Sequence, residues 1–375
     1  MRPLLAALSL LALAACDSQT PPPLAECPGA ADCPDVPDVV AGVDLNALFA
    51  APTAAERDSV ATRLARSGGT DAPRATQARR ADLATDPDGT RYTLVTLLDA
   101  DGREITHAVA RTPGNSVGGG NPLPVLFLLP DGDGHAAESS FLTGATAAGL
   151  DRTTVQIVVA ARGASLTTHG FSAGSPGPVV HTSDTPARPY LGDVLDLLAF
   201  TERLGLVPRA DAARLGAVGL GRGGAVALLA AERVPDRFRA LAPLGAPTSL
   251  FDPTFRTTVR QALSGGSAGR LPAAETLLAP ARALARGEIS LAEARLRMLE
   301  LSPVALAGRL PATRAFHASP DDIVPLAHLN RLRAEGGGTT LQPRLFDAVP
   351  EVQHGDLLTD TTLRGLLSTF FGQYL

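Results

Sequence analysis

The stretch Arg214-Leu215-Gly216-Ala217-Val218-Gly219-Leu220-Gly221-Arg222-Gly223-Gly224-Ala225-Val226-Ala227 decides how this chain is read. Its first half is a short apolar run, the kind that forms a strand buried on both faces. Its second half is an apolar run fit for a helix. Between them the glycines let the backbone turn sharply and let strand and helix approach closely. Outward from this unit the same alternation recurs. Leu123 to Leu129 and Val155 to Ala161 are unbroken apolar strands. Tyr190 to Phe200 has the spacing of an amphipathic helix, and Leu357 to Leu375 that of a closing helix. Alternating strands and helices of this kind build a mostly parallel sheet. Upstream, Tyr92 to Leu98 and Glu104 to Ala110 flank Asp99-Ala100-Asp101-Gly102, a hairpin signal.

The turn Gly219-Leu220-Gly221-Arg222-Gly223-Gly224 resembles the nucleophile elbow of the α/β-hydrolase family, G-x-S-x-G, often written G-H-S-R-G-G. Every glycine and the arginine are kept. The serine is not: Gly221 stands at the nucleophile position. Two more segments resemble family motifs in the family's order. Arg314 to Pro325 is similar to H-G-x-x-D-x-x-V-P, which implies Asp321 as the triad acid, with Asp322 a neighbour and His317 at the strand end. Val349 to Asp356 resembles the histidine loop, which implies His354 as the base. Val234-Pro235-Asp236-Arg237-Phe238-Arg239-Ala240 resembles the P-D-R-F-x-A segment of prolyl-oligopeptidase-like and dienelactone-hydrolase-like members.

The resemblance covers residues 90 to 375. It implies an α/β-hydrolase fold: a mostly parallel sheet with helices on both faces, an N-terminal β-hairpin, and a helical cap insert at 249–308. It also implies an oxyanion region formed by Gly132, Asp133 and Arg222, because Asp131-Gly132-Asp133-Gly134-His135 takes the place of the family's His-Gly-x-Gly. Asp131 stands where the histidine would be. Facing the pocket, its carboxylate would repel a developing oxyanion. Asp131, Asp133 and His135 also admit a metal reading, but two carboxylates are too few oxygens for calcium. No metal and no cofactor are expected. A dinucleotide-binding reading of Gly219 to Gly224 fails, since the turn comes late and no acidic residue follows at the right distance.

The N-terminus reads as an export signal over residues 1–15: Arg2, then the apolar run Leu4 to Leu13, too short to span a membrane. Leu13-Ala14-Ala15-Cys16 resembles a bacterial lipobox, which implies lipidation of Cys16 and an exported lipoprotein of the cell envelope; the alternative is an ordinary signal peptide cut near Ala15. Cys27 and Cys33 remain as an even pair. An oxidising compartment would join them in a disulfide, or they stay free thiols. Residues 16–40 are rich in Pro, Ala and Asp, as in an extended tether. Residues 41–85 are read as a small helical prefix. Leu45, Leu48 and Phe49 share one face, Val60 and Leu64 lie four apart, and Thr53 with Glu56 is a capping-box pair. Residues 86–375 are the main domain. Arg162 to Arg188 is a long polar loop that rims the pocket in the family.

A net charge of −5 with no basic stripe gives nucleic acid nothing to bind, and all 33 basic residues are arginine. Without a serine at 221 there is no hydroxyl for His354 to activate. Three readings of function stand at this point. The first is a membrane-tethered, catalytically impaired homologue that binds a small acyl or peptide-like ligand. The second is an active esterase or peptidase-like hydrolase using Asp321 and His354 with water or another nucleophile. The third is a structural envelope lipoprotein.

Overall fold

The computed structural model describes residues 38–66, 75–114, 120–137, 149–168, 177–337 and 344–375. The expected signal, Cys16, Cys27 and Cys33, and the tether up to residue 37 lie outside the described residues.

Strands β1 (Val39–Val40) and β2 (Val43–Asp44) form a short antiparallel ladder. Helix α1 (Leu45–Leu48) starts on the Asp44 carboxylate, which accepts from the amides of Asn46 and Ala47. Helix α2 (Ala54–Arg66) opens with the expected capping box. The Glu56 amide donates to the Thr53 hydroxyl, and the Thr53 amide donates to Glu56 at 2.8 Å.

Next come β3 (Gln77–Thr85), β4 (Arg91–Leu98) and β5 (Glu104–Thr112), an antiparallel meander. The β4–β5 turn is the predicted Asp-Gly hairpin. β3 falls inside the segment read as a helical prefix, yet it is a strand of the main sheet. Its low apolarity explains why the sequence hid it: it is the edge strand and mostly exposed.

The parallel part uses β6 (Leu123–Leu129), β8 (Val155–Val159), β11 (Ala210–Leu220), β12 (Ala240–Leu244), β13 (Ala312–Ser319) and β14 (Arg344–Pro350). The nine-stranded order is β14-β13-β12-β11-β6-β8-β5-β4-β3. The inner strands are buried throughout, as their unbroken apolar runs require. In the sequence, Leu341 to Phe346 reads as the last strand, and residues 341–343 of it lie outside the described residues. The strand lies at Arg344–Pro350, set by its ladder on β13 from Thr313↔Arg344 to Ser319↔Pro350. As an edge strand it alternates in exposure, so an apolar run misplaces it. Within the long polar region, β9 (Ser165–Thr168) and β10 (Val179–Thr182) pair with each other, and β9 also pairs with the two-residue β7 (Ala136–Ala137).

Helices α3 (Leu191–Glu202) and α4 (Arg222–Arg233) pack in the larger core cluster, on one face of the sheet. Helices α5 (Pro253–Leu263), α6 (Ala274–Ala285) and α7 (Leu291–Glu300) form the insert, and α8 (Ala327–Glu335) lies between β13 and β14. The insert shares that core with the prefix: Leu45, Leu48, Val60 and Leu64 are buried with Ala294 and Met298. The second cluster, on the other face, is closed by α9 (Thr361–Tyr374) through Leu363, Leu367, Phe370 and Phe371.

Candidate active site

Four loops leave the C-terminal ends of parallel strands and converge. Asp131 lies two residues past β6, Gly221 directly past β11, Asp321 two past β13, and His354 four past β14. Binding sites in open parallel sheets lie at this edge.

Gly221 has φ +48° and ψ −113°, a backbone state that side chains rarely enter, and its amide donates to the Leu244 carbonyl at 2.8 Å. The elbow's backbone turn is therefore formed, in a conformation that glycine takes without strain, and its side chain is missing. Gly219 and Gly223 allow the close approach behind it. A Cβ on Gly219 would stand 2.3 Å from the Gly223 carbonyl carbon, and one on Gly223 would stand 2.4 Å from the Leu129 carbonyl oxygen.

The acid and base meet as the sequence implied. His354 Nδ1 lies 2.8 Å from Asp321 Oδ2. Asp321 is held by the amides of Ile323 and Val324, both donating to Oδ1 at 2.9 and 2.8 Å. His317 is buried in β13, and its Nε2 faces the Val324 carbonyl at 2.7 Å, so it braces the acid loop. The His354 ring lies against Gly245, where a Cβ would come within 2.7 Å of Cε1. The sequence reading did not single out Gly245.

The decisive observation concerns Asp131. A Cβ built on Gly221 would fall 1.8 Å from Asp131 Oδ1. The aspartate carboxylate thus occupies the place a side chain at 221 would need. Oδ1 accepts from the Arg222 amide at 2.8 Å, the N–H that follows the elbow residue. Oδ2 lies 3.1 Å from His354 Nε2. The row runs Asp321, His354, Asp131.

Both ring nitrogens of His354 therefore face carboxylate oxygens. A neutral imidazole can donate from only one nitrogen, so the ring is protonated and donates from both. Burial alone would push its pKa down, but the bonds to Asp131 and Asp321 outweigh burial and lift it to about 9. Burial likewise pushes Asp131 and Asp321 up. The hydrogen bond from His354, with backbone amides, overrides it and holds both carboxyls below the usual range. Asp321 and His354 side chains are 0% and 4% exposed, whereas Asp131 is 21% exposed. Of the three, Asp131 is the group that meets solvent.

The oxyanion region divides. The Arg222 amide is in place but taken by Asp131. The Arg222 guanidinium turns inward, donating to Asp193 Oδ2 at 2.7 and 2.9 Å and to the Gly132 carbonyl at 3.3 Å, so it fixes the Asp131–Gly132 turn. Asp133 does not join the site. Its side chain is 78% exposed and lies 3.6 Å from His135, which is itself bonded to Ser165. A short exposed side chain at the tip of the turn has no path back to the elbow. The helical insert reaches the rim of the acid loop: Arg270 donates to Asp322 at 2.6 Å, and the Tyr190 hydroxyl donates to the Pro272 carbonyl. His107 is structural, lying 3.2 Å from the Thr96 hydroxyl and 3.0 Å from the Thr182 carbonyl. Ser183 is tied to the Ile105 carbonyl, while Ser172 and Ser175 lie outside the described residues.

The architecture matches known structures across most of the chain. An acetyl xylan esterase from Thermoanaerobacterium sp. superposes with a TM-score of 0.57 at 14% identity, covering 86% of this chain and 95% of that one. An acetyl xylan esterase from Paenibacillus sp. R4 gives 0.57 at 16%, covering 88% and 99%. A puromycin-hydrolyzing peptidase from Mycobacterium tuberculosis gives 0.55 at 20%, covering 79% of this chain and 41% of that one. This chain has the α/β-hydrolase fold. No family model matches its sequence, and no curated protein matches it either. At these identities the α/β-hydrolase likeness speaks for the fold, and the chemistry has to be argued from the site.

Proposed function

We propose that this protein is an exported, membrane-tethered α/β-hydrolase homologue in which serine-type acyl transfer is closed. One observation carries this: the Asp131 carboxylate fills the space of the missing side chain at Gly221 and holds the elbow's oxyanion N–H. Two losses follow together. There is no hydroxyl to attack an acyl carbon, and the donor that would stabilise the tetrahedral oxyanion already carries a negative partner. Loss of the nucleophile alone typically lowers kcat by on the order of a million-fold. Small acyl or peptide-like molecules remain the ligand class that the resemblance suggests, now as molecules bound and not split through the elbow.

The same geometry shapes the test. Gly221→Ser alone cannot restore activity, because the new Cβ and Asp131 Oδ1 exclude each other. Gly221→Ser with Asp131→Gly clears the space and frees the Arg222 amide. With short-chain aryl esters, the native protein and the single variant are expected to be inactive. The double variant is expected to gain a slow rate that His354→Ala abolishes. Ester turnover by the native protein that disappears in His354→Ala would overturn the proposal. The tether is tested separately: Cys16→Ser should leave the protein in the aqueous fraction after detergent phase separation, where the native chain partitions into detergent.

A further inference from the structure

The sheet has a second edge. Opposite the candidate active site, at the N-terminal ends of β12 and β13, Ala240 stands beside Ala312 in register. The segments that enter these two strands leave an open groove of about 370 Å³. It is lined by Asp236, Phe238 and Arg239 from the loop between α4 and β12, by Arg309 and Pro311 ahead of β13, and by Tyr374 at the end of α9. Small-molecule sites run from about 300 to 1,000 Å³, so this groove has room for a compact organic molecule and not for a lone ion only.

Its charges are those of an anion site. Arg309 is exposed and makes no hydrogen bond or ion pair among the described residues. Arg239 is also exposed. Its Nε donates to the Ala213 carbonyl at 2.7 Å, which fixes the guanidinium, and its terminal nitrogens have no partner among the described residues. Two nearby acids do not cancel these charges. Glu232, in the last turn of α4, is buried, and its Oε1 has no hydrogen-bond partner among the described residues. Burial pushes its carboxyl well above the ordinary range against the opposing pull of Arg309, so it keeps its proton and offers Arg309 no counter-charge. Asp211, whose carboxyl is held low chiefly by Arg214 and to a lesser degree by Arg239, is already paired with Arg214 at 2.7 Å. Asp236 remains, exposed and without an ion pair among the described residues. Two cations and one carboxylate on the groove wall leave a single positive charge.

We infer that this groove binds a small aromatic carboxylate. Two guanidinium groups offer the paired N–H donors that match a carboxylate. The net charge suits a monoanion and not a phosphate dianion, which Asp236 would repel. Phe238, Pro311 and Tyr374 line the same groove and give a ring an apolar surface to lie on. The site lies at the far end of α4 from Arg222, on the sheet edge away from Asp131 and His354, so it stands apart from the reading of the elbow.

The test uses the full-length chain and titration calorimetry with benzoate as the probe. The native protein should bind it with a Kd of about 1 mM or tighter. Arg309→Met and Arg239→Met keep the apolar stems, and each should weaken binding about tenfold. Benzamide, the neutral analogue, should bind about tenfold more weakly than benzoate or not at all, and inorganic phosphate should bind more weakly than benzoate. Asp236→Asn works in the opposite direction. Asp236 has φ +68°, a state that Asn accepts, and loss of its charge should tighten phosphate by about threefold or more. A gain of this kind cannot come from a variant that merely fails to fold. His354 is the other cation within the chain's clefts, and His354→Gln should leave benzoate binding unchanged. No benzoate binding by the native protein, equal binding of benzamide, or benzoate binding that survives both arginine variants or disappears in His354→Gln overturns the inference. Phosphate that binds as tightly as benzoate, or that Asp236→Asn does not tighten, overturns the choice of a carboxylate. The ester assay above reads the other edge of the sheet, so its failure and the failure of this inference are told apart.

Discussion

At the residue scale the site turns on one proton. His354 lies between two carboxylates at 2.8 and 3.1 Å, with His317 the further titratable neighbour, 3.5 Å from Asp321. Its pKa is raised to about 9 from an ordinary 6.5, so the interaction stabilises the fold fully below pH 6.5 and is lost as pH rises through about 9. The carboxyls of Asp131 and Asp321 are lowered, so their share is present above the ordinary carboxylate pKa and is lost as pH falls through their folded values. Histidine NMR titration, with the His354 signal assigned by its absence in His354→Gln, should find the ring charged at neutral pH. In Asp131→Asn one of the two negative partners is gone, and the pKa should fall back toward 6.5. An unchanged value in that variant would mean that Asp131 does not face the ring in solution.

At the element scale, the unit β11–turn–α4 is held by contacts that leave no room for a side chain. Gly223→Ala would drive a Cβ to 2.4 Å from the Leu129 carbonyl oxygen and 2.6 Å from that of Pro130. Backbone atoms cannot yield as a flexible side chain can, so β6 and α4 must separate, at a cost of about 1–3 kcal/mol or more. Gly372 in α9 has nothing within 4 Å of its Cβ position, so Gly372→Ala should stabilise by up to about 1 kcal/mol through helix propensity. Urea unfolding of the two variants separates a packing role from a merely permissive one.

The contrast also explains what was legible in the sequence. The glycine pattern displayed the elbow because the chain's own geometry demands it. Asp321 and His354 were legible because they keep their local contexts. Asp131 was noticed only as a charge out of place. Its partner at 221 is ninety positions away, and no local pattern joins them. The link is the register of neighbouring strands: Gly219 pairs with Leu129, so residues 221 and 131, two steps further along, come side by side. A reading that carried strand register past the strand ends would have found it. Strand β3 was illegible for the opposite reason. At an exposed edge, polarity carries no periodic signal to read.

At the scale of the whole molecule, Arg295 joins the N-terminal prefix to the helical insert, beside the pairs of Arg63 with Glu293 and Glu300 and of Asp38 with Arg256 and Arg260. The Arg295 guanidinium reaches Glu56 at 2.6 and 2.9 Å and the carbonyls of Ala47, Leu48 and Ala50 at 2.9–3.0 Å, with a side chain only 8% exposed. It therefore closes the C-terminal end of α1 and the first turn of α2 at once. The Arg295 bond pulls the Glu56 pKa down to about 2 against the opposing effect of burial, so this clasp persists until pH falls through about 2. Arg295→Ala leaves three carbonyls and a carboxylate without their shared donor, and breaking such a pair typically costs about 3–5 kcal/mol. Arg297, on the same helix, bonds Glu293 alone among the described residues and is 49% exposed. Arg297→Ala should therefore change stability by no more than about 0.5 kcal/mol. In urea the first variant should unfold at a clearly lower midpoint with unchanged slope, and protease should cut residues 38–66 faster than in the native chain. Equal midpoints for the two variants would mean that the prefix is held without Arg295, by its apolar face through Leu45, Leu48, Val60 and Leu64 and by the pairs of Asp38 and Arg63.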